Sequence, residues 1–112
     1  MILVGLNMFS RFPGNCVVSI NLLQGNSDLK WGFRFDPIDE NDTGWQFVSA
    51  MDKGKNNTDP DNLLMIPFKQ MILIEPRVKD IYHLPVGAKF LFIENHGGKH
   101  FYDTQTGRPL EL

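Results

Sequence analysis

Apolar and polar residues alternate with a period of two through Lys30-Trp31-Gly32-Phe33-Arg34-Phe35 and again through Trp45-Gln46-Phe47-Val48-Ser49. That period belongs to a strand with one face turned to a core. Trp31, Phe33 and Phe35 share a side of the first run. Trp45, Phe47 and Ser49 share a side of the second, with Gln46, Val48 and Ala50 opposite. Joined through the polar residues 36–43, the two runs predict a hairpin whose aromatic side chains gather on one face, a platform on which the rest of the chain packs.

The other elements follow in order. Residues 2–9 alternate poorly and read as an edge strand or a loosely docked arm, and Pro13-Gly14 reads as a turn. Residues 16–20 are a short apolar run rich in β-branched side chains, which predicts a central strand. Residues 22–28 form a connection with room for one helical turn. Residues 51–62 are the most polar stretch and read as an exposed, mobile loop, whereas residues 63–66 read as a buried strand. Beyond Pro67 the period changes. Phe68, Met71 and Ile72 fall at helical spacing, as do Val78, Ile81 and Tyr82 after Pro76, which gives two short helical pieces or a loop and one helix. Residues 71–74 read equally as a strand. Residues 89–94 and 99–103 flank Gly97-Gly98, a two-residue hairpin signal. The sum is α+β: an antiparallel-dominated twisted sheet of about six strands, with one or two short helices packed on one face.

Length and charge narrow the setting. The 112 residues suit a single domain, 1–112, burying roughly two thirds of the surface its unfolded chain exposes. The lone Cys16 has no partner for an internal disulfide and sits in an apolar run, so a buried reduced thiol and a cytoplasmic home are expected. Residues 1–4 are apolar, but Gly5 and Asn7 interrupt the run and nothing basic precedes it, so neither a signal peptide nor a membrane span is read there. With 11 basic and 13 acidic residues and no long Lys/Arg cluster, the chain is poorly suited to neutralising a phosphate backbone. No nucleic acid and no membrane are expected among its partners.

Candidate chemistry is thin. His96 and His100 stand four apart with Asp103 behind them. A turn at Gly97-Gly98 pairs His96 with Lys99 and Asn95 with His100, which puts the imidazoles on opposite faces of the ribbon and denies them a common metal. Ser19 lacks the glycines of a nucleophile elbow, and residues 51–62 lack the ligand spacing of a calcium loop. The carboxylates Asp36, Asp39, Glu40 and Asp42 crowd a loop rather than line a pocket wall. No cofactor, no metal and no enzymatic activity are expected. What remains is contact surface, an acidic loop with Arg34 beside it, suited to steering and orienting a basic partner and also to keeping the protein soluble.

Five landmarks occur in succession: Cys16-Val17-Val18-Ser19, Trp31-Gly32-Phe33-Arg34, Asp42-Thr43-Gly44-Trp45-Gln46-Phe47-Val48-Ser49, Pro60-Asp61-Asn62 and Leu84-Pro85-Val86-Gly87-Ala88-Lys89-Phe90. This succession, from Cys16 to Phe90, resembles the immunity protein thirty-three family of bacterial polymorphic toxin systems, long described as a domain of unknown function. The family tends to carry Asp-Ser-Gly-Trp-Arg-Phe where this chain has residues 42–47, and Pro-x-Gly-x-x-Phe where it has residues 85–90. It often has Tyr-Arg-Glu in place of Phe33-Arg34-Phe35 and Gly-Asp-Glu in place of Ala50-Met51-Asp52, so two acidic side chains are lost here, and with them any partner contact that relies on them. The resemblance implies a non-catalytic binder that neutralises a cognate toxin protein, acting as a monomer or weak dimer. Arg34, Asp39, Glu40 and Asp42 are the expected contacts. The alternative is a small interaction or ligand-binding module with another partner.

Overall fold

A computed structural model of the chain describes residues 11–52 and 59–112. The elements are β1 (Asn15–Ser19), α1 (Ile20–Leu23), β2 (Leu29–Arg34), β3 (Asp42–Ser49), β4 (Leu63–Pro67), α2 (Phe68–Ile74), β5 (Lys89–Asn95) and β6 (Gly98–Asp103), with 3-10 turns at Pro60–Asn62 and Pro76–Ile81. The strands form one sheet in the order β4-β1-β3-β2-β5-β6. Only β1 and β3 run parallel, and the other neighbours are antiparallel. The expected α+β architecture is therefore the one observed. Residues 2–9, read as an edge strand or docked arm, lie outside the described residues.

Helical spacing after the two prolines does what it implies. Phe68, Met71 and Ile72 of α2 are buried, as are Val78 and Ile81 of the 3-10 turn. They close one face of the sheet over Trp45, Phe47, Phe90, Phe92 and Phe101. Pro76 at the start of its turn needs no N–H there, and Glu75 caps that turn by accepting from Arg77 N at 3.1 Å.

The aromatic platform is divided in two. Residues directly opposite one another on paired strands share a face. The observed register sets Gly32 against Phe47 and Arg34 against Trp45, while Trp31 faces Val48 and Phe33 faces Gln46. Trp45 and Phe47 thus enter the core, and Trp31 and Phe33 lie half-buried on the opposite side of the sheet. The hairpin exists, but the run 30–35 is turned over relative to the expectation. A register irregularity between Leu29 and Trp31 sets this pairing, and a one-residue slip moves every side chain of a strand to the other face.

Gly32 now has a clear purpose. A Cβ there would stand 2.1 Å from the Phe90 ring, so the missing side chain is the space that Phe90 occupies. Phe90 in turn lies 5.9 Å from Trp45 and 6.2 Å from Phe47, ring centre to ring centre.

Three further expectations are corrected. Among the described residues β4 is an edge strand that pairs with β1 alone, with Leu64 and Met65 about half exposed; its continuous apolar run resembles that of a strand buried on both sides. The β5–β6 turn is His96-Gly97, with Asn95 opposite Gly98 and Ile93 opposite His100. Gly98, at φ 103°, opens β6 instead of closing the turn. Asp52, assigned to an exposed loop, is fully buried; residues 53–58 of that loop lie outside the described residues.

Candidate functional site

At one end of the sheet β2 passes into β3 through residues 35–41, all exposed. Asp42 organises this connection. Its Oδ2 accepts from Ile38 N at 3.0 Å and its Oδ1 from Gly44 N at 2.9 Å. Asp39 Oδ1 accepts from Asn41 N at 2.8 Å, closing a second local turn. Short carboxylate side chains that bond backbone two to four residues away are what make Asp a loop former. Asn15 N donates to Asn41 O at 2.7 Å, and Thr43 Oγ1 donates to Asn15 O at 2.7 Å, so the loop is also tied to β1. The loop presents Ile38, 78% exposed, among Asp36, Asp39 and Glu40.

Gly44 is dictated by the same turn. Its φ is +83°, and a Cβ would lie 2.0 Å from the Phe35 carbonyl oxygen, whose residue donates its own N–H to Gly44 O at 2.8 Å. The Asp-Thr-Gly-Trp landmark is therefore one device: Asp42 caps, Thr43 bridges to β1, Gly44 makes the backbone turn and Trp45 enters the core.

Arg34 faces the core side of the sheet beside Trp45. Its Nε donates to Thr43 O at 2.9 Å, and its Nη1 donates to Tyr82 O at 3.3 Å and to Leu84 O. The guanidinium carbon stands 5.9 Å from the centre of the Trp45 ring, and Trp45 Nε1 donates to Tyr82 O at 3.2 Å. Burial pushes the Tyr82 phenol up from its ordinary pKa, and the nearby Arg34 charge opposes that. Arg34 therefore fastens residues 82–84 to the base of the loop. Of the four expected contact residues, the structure gathers Asp39, Glu40 and Asp42 on one loop, with Arg34 beneath them. Arg34, Asp42 and Asp39 are engaged in intramolecular bonds, and Asp39 and Glu40 are exposed.

A second polar centre was invisible in the sequence. The buried Asp52 carboxylate accepts from Ser49 N and Ser49 Oγ at 2.7 Å each, and from Asn21 Nδ2 and Asn62 Nδ2 at 2.8 Å each. Burial works against its charge, but these bonds and one from Ser19 outweigh it and hold the carboxyl at about 2. One side chain thus joins the ends of β1, β3 and the turn before β4. Asn and Ser near Asp is too common a composition to betray such a hub.

The other candidates take their places singly. Cys16 is a free, fully buried thiol, as expected. Burial, and then the charge of Asp42, raise its pKa far above the thiol range, which makes it a core residue and no nucleophile. The His100 ring bonds Gly97 O at 3.0 Å, and His83 meets Tyr82 edge to face, ring centres 5.0 Å apart. Two surface depressions lie at Arg77, Asp80, His100 and Leu110, and at Asp28, Lys30, Glu75 and Lys99; neither is lined by Trp31 or Trp45. Among the described residues no helix is long and apolar enough to cross a membrane.

Sheet and covering helices define an α+β protein whose Asp42-Thr43-Gly44-Trp45 landmark serves one structured loop. The family model described as Immunity protein Imm33 domain matches residues 16–103, and the chain belongs to that immunity protein family. The match runs from the second residue of β1 to the last of β6, so the β5–β6 hairpin, which the landmark resemblance left out, is part of the family's domain. No curated protein and no solved structure matches the chain.

Proposed function

We propose that this protein protects the cell that makes it by binding a cognate toxin of a polymorphic toxin system in the cytoplasm and obstructing it, without turning anything over. Family membership supplies the toxin-neutralising role. The observation that carries the rest is the loop 36–42: a charged, outward-facing loop held in one shape by Asp42 and Asp39 and anchored to two strands. A loop ordered before binding loses little conformational entropy on contact. Its carboxylates steer a basic surface, and an exposed isoleucine among them provides an apolar contact at the centre. In this reading Asp39 and Glu40 touch the toxin. Asp42 and Arg34 contribute through the shape they impose as well as their charge.

The test is co-expression with the polypeptide encoded by the adjacent reading frame. Cells carrying the neighbour alone should die, and cells carrying both chains should survive. A well-folded protein that leaves the neighbour's toxicity unchanged contradicts the reading.

A further inference from the structure

The two edges of the sheet are treated differently. Along β6 the chain folds back on itself: Asp103 N donates to Arg108 O at 2.8 Å, Leu110 N donates to Phe101 O at 2.9 Å, and Tyr102 pairs with Pro109. Nothing among the described residues pairs with the outer side of β4.

Its sequence, Leu63-Leu64-Met65-Ile66-Pro67, carries no charge. Natural edge strands are usually guarded by a charged side chain, a bulge or a covering segment, because an open row of N–H and C=O groups templates another strand.

Which groups face outward follows from the pairing. Asn15 sends its N–H to Asn41 O and accepts from Thr43, so it bonds towards β3. Phe68 N donates to Gly14 O, and the registers Cys16 to Ile66 and Val18 to Leu64 continue that alternation. Leu64 and Ile66 therefore bond inward to β1, and Met65 turns both its N–H and its C=O outward; Leu63 offers its C=O there, its N–H being donated to Pro60 O. Proline at 67 has no N–H to leave unpaired on that side.

We infer that β4 is the interface for a second copy of this chain, which pairs antiparallel through its own β4 and continues the sheet across a twofold axis. With Leu63 opposite Met65 of the second copy, the Met65 N–H donates to the outward Leu63 C=O and the axis repeats the bond. Leu64, 50% exposed, then meets Leu64 of the second copy on one face, and Met65, 47% exposed, is covered on the other. Charge favours the same arrangement. Lys69, exposed in α2 just beyond one end of the strand, comes over Asp59 and Asp61 before the other end of the second strand, and the axis makes this contact twice. The strand offers a self-complementary apolar centre with opposite charges at its two ends, which a second copy matches without any further partner.

Sedimentation of the purified chain over a concentration series tests this. Wild type should sediment at twice the chain mass and dissociate on dilution. Leu64→Lys, which sets two ammonium groups against each other across the axis, should sediment at the chain mass with an unchanged circular dichroism spectrum. If that variant fails to fold, Lys69→Glu at an exposed helical position carries the test and should shift the dimer dissociation to higher concentration. Wild type at the chain mass throughout overturns the inference, as does a dimer that survives the folded variant unchanged.

Discussion

Asp52 shows what a single side chain contributes. Four of its bonding partners come from residues 21, 49 and 62, and removing the carboxylate strands their donors in a site without solvent. Asp52→Ala should therefore lower the unfolding free energy by about 3 kcal/mol, measured by urea denaturation. Its pH dependence has a definite sign. The folded state holds the carboxyl at about 2 and the unfolded chain protonates it near 3.8. The unfolded chain thus binds the proton first, so stability is full above pH 3.8 and declines as the pH falls towards 2. The loss is on the order of 2 kcal/mol, and Asp52→Asn should flatten it. Gly32 gives a second test. Gly32→Ala forces a methyl into the Phe90 ring and should cost about 2 kcal/mol. Phe90→Leu opens space there, so the double variant should be more stable than the sum of the single effects by about 1 kcal/mol.

At the scale of elements, the β2–β3 connection separates shape from contact. Glu40→Lys alters an exposed carboxylate that caps nothing among the described residues, and should leave stability within about 0.5 kcal/mol of wild type. Toxin affinity, measured by titration, should fall and become less sensitive to salt. Asp42→Ala removes two backbone caps and should cost about 1 to 2 kcal/mol as well as affinity. Arg34→Met keeps the aliphatic stem over Trp45 but frees three carbonyls. Amide exchange should then quicken across residues 82–88 before it does in β1 or β3.

How much of this was legible in the sequence depended on periodicity. Strand runs, helical spacing after Pro67 and Pro76, and the hairpins could all be read, because each leaves a period of two or 3.6. The faces could not. Trp31 and Trp45 look equivalent in the sequence, and only the pairing register, with its irregularity near Lys30, sends them to opposite sides. Loop residues 36–42 announced themselves by charge. Asp52 did not, since burial of a carboxylate is decided by donors distant in sequence. Arg34, expected on the surface, turned inward because Gly32 and Trp45 fix its face.

For the molecule as a whole, the sheet, closed on one side by α2, holds an acidic loop in place. The proposed contact of that loop with a toxin is tested most directly by titration calorimetry of the purified chain against the purified product of the adjacent reading frame. A saturable complex is predicted, weakened at least about tenfold by Glu40→Lys, as loss of one steering charge pair at a contact allows. Absence of any complex between two folded proteins, in cells that are nonetheless protected, would contradict it.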